Sequence, residues 1–365
     1  MRLFSGKQVL ATLAAFAAAG CSLVKEAVQP ELNVNYPAAY VVNGQSSTVT
    51  VINLTTNQVA GIIPLVDKVT RPDGSRVGSG AFLAYPHHLS LHPSETQLAI
   101  AAPGVDLSAG HGEKDPHGGV KKGGKVAILD AVTGTVRHIL SLPDPNHNAV
   151  FSPDGNEIWS AQMDHHGKVL VYDAKTYTLK HTIPVGAEPA EVTFSADGSV
   201  AFVANGADNT VTAIDPLKKS VVATISVGKN PVGAWPGADG RMYVDNEDGK
   251  TISVLDVKTL KVVETVDLGF VPDFAFFLSA QRELWVTDGL AGKVHWWRKE
   301  ADGRYTYGGS LASGAGAHAI GVYNGMAYIT NQKGASVSVV DVAKHLKVKD
   351  ISVDNKPNGI AILNR

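Results

Sequence analysis

From Tyr40 to the end of the chain, short apolar runs alternate with polar turns. One run recurs, led by an aromatic residue: Tyr40-Val41-Val42-Asn43, Trp159-Ser160-Ala161-Gln162, Phe202-Val203-Ala204-Asn205, Tyr243-Val244-Asp245-Asn246, Trp285-Val286-Thr287-Asp288 and Tyr328-Ile329-Thr330-Asn331. In each of seven repeats a second run ends in an acid or a near equivalent, at Asn53, Asp130, Asp173, Asp215, Asp256, Arg298 and Asp341. The first interval between these ends is 77 residues and the others are 41 to 43. Each unit adds a third run, as in Val221-Val222-Ala223-Thr224-Ile225-Ser226-Val227, and opens with another before a turn, as in Val192-Thr193-Phe194-Ser195-Ala196-Asp197-Gly198. Short apolar or alternating runs punctuated by Asp-Gly and Pro predict strands. Four of them per repeat predict the blade of a β-propeller. One blade cannot bury both of its faces, so blades must stack radially and the ring must close. The first unit lacks its opening strand, and Pro357-Asn358-Gly359-Ile360-Ala361-Ile362-Leu363 supplies it from the other terminus. The pattern thus predicts an all-β fold over residues 38–365: a seven-bladed propeller of four-stranded antiparallel blades, closed by the C-terminal strand joining blade one. The long first interval is assigned to insertions at 67–80 and 103–124, not to an eighth blade.

The start of the chain breaks this pattern. Residues 1–20 carry Arg2 and Lys7, no acid, and the apolar run Val9 to Ala19. This is the layout of a secretory signal peptide, and the run is short of the roughly 20 residues that span a bilayer. Ala18-Ala19-Gly20-Cys21 resembles the lipobox of bacterial lipoproteins, with Ala18 where leucine is commonest. The resemblance implies lipidation of Cys21, the only cysteine, so no disulfide forms within the chain. Ser22 resembles the sorting signal for the outer membrane. Residues 21–37 then read as a polar tether. The expected location is the periplasmic side of a bacterial membrane, outer membrane favoured, with the lipid as sole anchor. Charge adds one exclusion: 32 basic and 34 acidic residues leave -2, too balanced for a nucleic-acid-tracking surface.

Phe202-Val203-Ala204-Asn205 with Asn209-Thr210-Val211-Thr212-Ala213-Ile214-Asp215, and Ile225-Ser226-Val227-Gly228-Lys229-Asn230-Pro231, resemble the YVTN family of seven-bladed propellers. The resemblance extends over residues 38–365 and implies the fold. Such propellers serve as binding platforms, maturation factors and enzymes alike, so function has to come from the site.

Loops leading into the innermost strands share a face with loops joining the second and third strands. Aligning the innermost strands on their turns places His87-His88, His147-Asn148, Ala190-Glu191, Val232-Gly233, Asp273-Phe274, Ala317-His318 and Asn358-Gly359 at that mouth. The neighbouring loops add His111, Glu113, Asp115 and His117, and Asp164, His165 and His166. Eight of the 13 histidines converge on one face. Neutral imidazole and carboxylate are ligands that divalent zinc and copper accept without a thiolate. The candidate ligands are His87, His88, His147, His318, Glu191 and Asp273, with His111, His117, His165 and His166 as an outer, mobile set.

Cys-x-x-Cys-His, His-Glu-x-x-His, a Gly-x-Ser-x-Gly elbow and a phosphate loop are all absent. The chain reads as a carrier or sensor of zinc or copper, expected to be a monomer and with no catalytic residue assigned, similar to the propeller-fold periplasmic zinc metallochaperones. Two alternatives differ in class. One is a docking platform for a periplasmic protein. The other, implied by resemblance to the haem-binding propeller of dissimilatory nitrite reductase and the related lipoprotein of its cofactor's biosynthesis, handles a haem d1-type tetrapyrrole through His88, His147 or His318. Against the latter, the histidine arc of the mouth has no arginine for the macrocycle's carboxylates. A lactonase-like role suggested by Leu91-His92-Pro93 places His92 on the opposite face.

Overall fold

The computed structural model describes residues 32–71, 73–107 and 123–365. Among them are seven four-stranded antiparallel sheets, a two-stranded hairpin (Val69–Thr70 with Arg76–Val77) and no helix. The innermost strands are Leu89–Leu91 in blade two, Val150–Phe151 in three, Pro189–Phe194 in four, Pro231–Gly237 in five, Phe274–Leu278 in six and Ala317–Tyr323 in seven. Pro357–Leu363 is the innermost strand of blade one, paired with Ala38–Asn43 from Ala38 opposite Leu363 to Asn43 opposite Pro357. Neighbouring blades pack through their innermost strands, with Pro189–Phe194 of blade four set against Glu157–Gln162, the second strand of blade three, and the innermost strand of blade seven against Pro357–Leu363. The ring closes as the repeat requires.

The recurring residues hold this ring together. Tyr40, Trp159, Phe202, Tyr243, Trp285 and Tyr328 are all buried, and several are tied to the next blade. Tyr40 donates its hydroxyl to the Ala131 carbonyl of blade two, and Tyr328 to Asn57 Oδ1 of blade one at 2.7 Å. Trp285 Nε1 donates to Glu283 at 3.0 Å, and the same carboxylate meets His345 Nε2 of blade seven at 2.8 Å. Glu283 is 3% exposed, so these partners replace the water it gives up. Asn43, Asn205, Asn246 and Asn331 each donate Nδ2 to two hydroxyls on the following strand, for example Thr210 at 3.0 Å and Thr212 at 2.9 Å. The acids close the outer hairpins: Asp215 Oδ1 accepts the N–H groups of Leu217 and Lys218, both at 3.0 Å. Such bonds favour the ionised form. At Asp173 the N–H groups of Thr176 and Lys175 hold the carboxyl below its usual range. Arg298 is the exception, because blade six has a longer turn, in which Asp302 accepts from Arg304 N at 3.1 Å.

The packed chain begins before residue 38, which corrects the expected tether boundary. Val34 is 1% exposed, its N–H bonds the Val132 carbonyl at 3.0 Å, and Leu32 and Tyr36 pack beside it. Leu32, Val34 and Tyr36 alternate with Asn33 and Asn35, a strand-like period hidden in a polar composition. The expected signal peptide and Cys21 lie outside the described residues.

Candidate metal centre

Pairing with the second strands puts the seven innermost strands on a common level. Ala317 lies opposite Asn331 as Pro189 lies opposite Asn205 and Pro357 opposite Asn43. His318 is therefore level with His87, His147, Ala190 and Asp273, one step earlier than the sequence alignment of blade seven placed it. His88, Glu191 and Gly359 form the next level. The register of blade seven shifts between Ala317 and Ile320 just as that of blade four does between Pro189 and Val192; what differs is the hairpin turn, tight at Asn324-Gly325 with Tyr323 opposite Met326, where blade four runs a longer loop from Phe194 to Ala201.

Closure brings most of the arc together. His87, His88 and His147 each offer a ring nitrogen, the three within 4.8 Å of one another, and all three side chains are buried. The His318 ring lies 5.6 Å from that of His87 and 5.5 Å from that of His88. Glu191 Oε1 is 2.6 Å from His147 Nδ1 and 3.2 Å from His88 Nε2. Backbone packing dictates how close these groups come. The Gly359 N–H bonds the His87 carbonyl at 2.9 Å, and a Cβ on Gly359 would stand 3.0 Å from His88 Cα and Nδ1. Glycine there lets blade one press the histidine pair into the mouth.

Glu191 is 1% exposed, and neither of its oxygens makes a directed hydrogen bond among the described residues. Burial, with a smaller contribution from Asp245, pushes its carboxyl well above the usual range. A cation held between carboxylate and imidazoles would reverse that. Asp245 is also buried and raised, by desolvation and then by Glu247. It accepts Trp235 Nε1 at 2.7 Å and Gly233 N at 3.1 Å, and so pins an indole whose ring is 6.0 Å from that of His88. A Cβ on Gly233 would fall 2.4 Å from that indole. Neither Asp245 nor Trp235 was among the residues expected from sequence. The signal was there: the third place of the aromatic-led run holds Val42, Ala161, Ala204, Thr287 and Thr330 elsewhere, and an acid only at Asp245.

Other expected ligands fall elsewhere. Asp273 is at the mouth but outside the three-histidine group; its carboxylate accepts the Gly289 N–H at 2.7 Å. Burial raises it to about 7, offset in part by that bond and reinforced by Glu247 and Asp288. A carboxyl raised in the folded state from about 3.9 in the unfolded chain costs stability progressively as pH rises between those values. Asp273→Asn, which keeps the acceptor oxygen, is expected to leave stability near pH 4 unchanged and to add about 4 kcal/mol by pH 8. Urea denaturation of both proteins across that range checks this; a gap that does not widen with pH refutes it. His165 and His166 are exposed on the loop of blade three, with His165 Nδ1 3.0 Å from Glu188 Oε1. His111 and His117, with Glu113 and Asp115, lie outside the described residues. Asn358 braces loops, accepting Gln332 Nε2 at 2.8 Å and donating to the Pro86 carbonyl at 3.2 Å. His92 bonds the Gly155 carbonyl at 2.9 Å, in the turn that leaves the innermost strand of blade three.

No family model and no curated protein sequence matches the chain. Solved structures do. A functionally unknown protein from Desulfotomaculum acetoxidans superposes with a TM-score of 0.69 at 12% identity, covering 90% of this chain and 99% of that one. The periplasmic gluconolactonase of Pseudomonas aeruginosa gives 0.67 at 15%, with the same coverage. The dihydro-heme d1 dehydrogenase NirN, in complex with DHE, gives 0.60 at 15%, covering 89% of this chain and 74% of that one. The fold is a seven-bladed β-propeller. At these identities the likeness speaks for architecture alone, and the chemistry rests on the residues of the mouth.

Proposed function

We propose that the protein is a metal-binding propeller, a carrier or sensor that holds one divalent zinc or copper ion at the mouth through His87, His88 and His147, with Glu191 against two of them. The observation that carries this reading is the buried three-histidine group. Burying three imidazoles and a carboxylate side by side costs solvation, which a shared cation would return. Imidazole and carboxylate are borderline-to-hard donors, suited to zinc and copper(II).

Titration of metal-free protein tests it. One tight equivalent is expected, copper displacing zinc in the divalent affinity order. Copper(II) should quench the emission of Trp235, and Trp235→Phe should remove most of that quenching. Binding no tighter than that of a histidine-poor propeller would overturn the reading in favour of protein docking. Tight haem binding without a metal response would favour the tetrapyrrole role.

We propose further that Cys21 is the lipid-bearing residue of a periplasm-facing lipoprotein. In cells of a lipoprotein-processing bacterium the protein is expected in the membrane fraction and the Cys21→Ser form in the soluble one. A Cys21→Ser protein that stays with membranes through a high-salt wash would refute the lipid anchor.

A further inference from the structure

His147 and Glu191 face each other from two places that the strand ladders leave unfixed. The innermost strand of blade three is only Val150–Phe151, paired with Trp159 and Ile158, so His147 stands ahead of its paired part. Glu191 falls inside the register irregularity between Pro189 and Val192. Something else has to hold the two groups 2.6 Å apart across the seam. Asn148 does so. Its Nδ2 donates to the Val192 carbonyl at 2.9 Å and its Oδ1 accepts the Val192 N–H at 3.2 Å, a paired bond from blade three to blade four. The Asn148 carbonyl accepts Ser160 Oγ at 2.8 Å, from the second strand of its own blade. Asn148, Ser160 and Val192 are all buried, so water does not compete for these bonds. Asn148 follows His147 in the chain, and Val192 follows Glu191.

We infer that Asn148 is a positioning residue of the centre: its carboxamide fixes Glu191 against His147, so that groups from blades three and four stand as one preorganised set before a metal arrives. The inference rests on the metal-binding reading of the mouth. A carboxamide suits the task, because its donor and acceptor lie side by side, match the carbonyl and N–H of a single residue, and bring no charge next to Glu191. Glu191 Oε1 also reaches His88 Nε2 of blade two at 3.2 Å, so a slip of this carboxylate is felt across three blades. Binding groups have to be held within about 0.5 Å of their productive places, which makes the partners that orient them nearly as important as the ligands.

Asn148→Ala keeps every imidazole and the carboxylate and removes only the bridge. Its affinity for copper(II) or zinc is expected to fall about 10- to 100-fold, and its copper(II) electron paramagnetic resonance spectrum to broaden into a mixture of sites. Tyr328→Phe, which breaks the bond from blade seven to the outer hairpin of blade one, is expected to leave both as in the parent. An Asn148→Ala protein with the parent's affinity and spectrum refutes the inference. So does a Tyr328→Phe protein that loses as much, since any weakened seam would then suffice. Asn148→Ser, with room for a water to serve Val192, replaces the alanine form if that form does not fold. Metal-free crystals of parent and variant add a readout independent of the metal: the distance from His147 Nδ1 to Glu191 Oε1 is expected to grow from 2.6 Å to beyond about 3.2 Å. An unchanged distance refutes the positioning role even where affinity drops. Failure of the metal-binding reading shows instead as a parent that binds no metal, and the placing of Glu191 by Asn148 is then upheld or refuted by this distance alone.

Discussion

A chain ending at Lys356 is expected to lose its cooperative unfolding transition. The nine residues removed include the whole innermost strand of blade one, so Ala38–Asn43 would present an unpaired edge toward the channel. Leu363, fully buried in the cluster that joins blades one and two, would go with it. So would Arg365, whose guanidinium bonds the Val34 carbonyl at 2.9 Å and the Glu95 carbonyl at 2.7 Å, and which ties the segment at Val34 to blade two. The loss is on the order of the whole stability of a domain, about 5–15 kcal/mol. Scanning calorimetry decides: a truncated protein with the parent's full transition would mean the ring does not depend on this strand. Leu363→Ala gives the graded version, an expected loss of about 2–5 kcal/mol with folding retained.

The second large effect concerns the centre. His88→Ala with His147→Ala removes two of three clustered imidazoles from different blades and is expected to weaken copper(II) or zinc binding at least a thousandfold, about 4 kcal/mol. His165→Ala with His166→Ala should change that tight step by no more than a few-fold. Glu191→Gln, isosteric but uncharged, should cost about 10- to 100-fold. In the parent, affinity should fall on acidification, since imidazole must be neutral and carboxyl ionised to donate. The raised position of Glu191 adds to the loss in the same direction. Titration calorimetry at several pH values measures all of this. A double variant that binds as the parent does, with its thermal transition intact, would remove the centre.

The blades were legible along the chain because their determinants are local. Side chains alternate with a period of two, an acid caps each outer hairpin, and an asparagine bonds hydroxyls five and seven residues on, all within one repeat. Closure was legible too, since a missing strand at one end and a spare one at the other leave a single arrangement. The histidines at the mouth could be assigned to a face for the same reason.

Which of them meet was not written in any repeat. His87 and His147 come together because blades two and three are adjacent, and His88 reaches its place because Gly359, at the far end of the chain, has no side chain to hold it off. Asp273 shares the level of His147 yet turns to the Gly289 N–H, a choice made by the neighbouring loop. His318 stands one step from its aligned level because the strands of its hairpin pair right up to the tight Asn324-Gly325 turn, which only the register of the folded blade reveals. Leu32, Val34 and Tyr36 were masked by the asparagines between them. Local patterns encode which way a side chain faces within its own blade; distances between blades follow from packing of residues hundreds of positions apart, where a missing Cβ or one extra residue in a strand moves a ligand by more than a metal site tolerates.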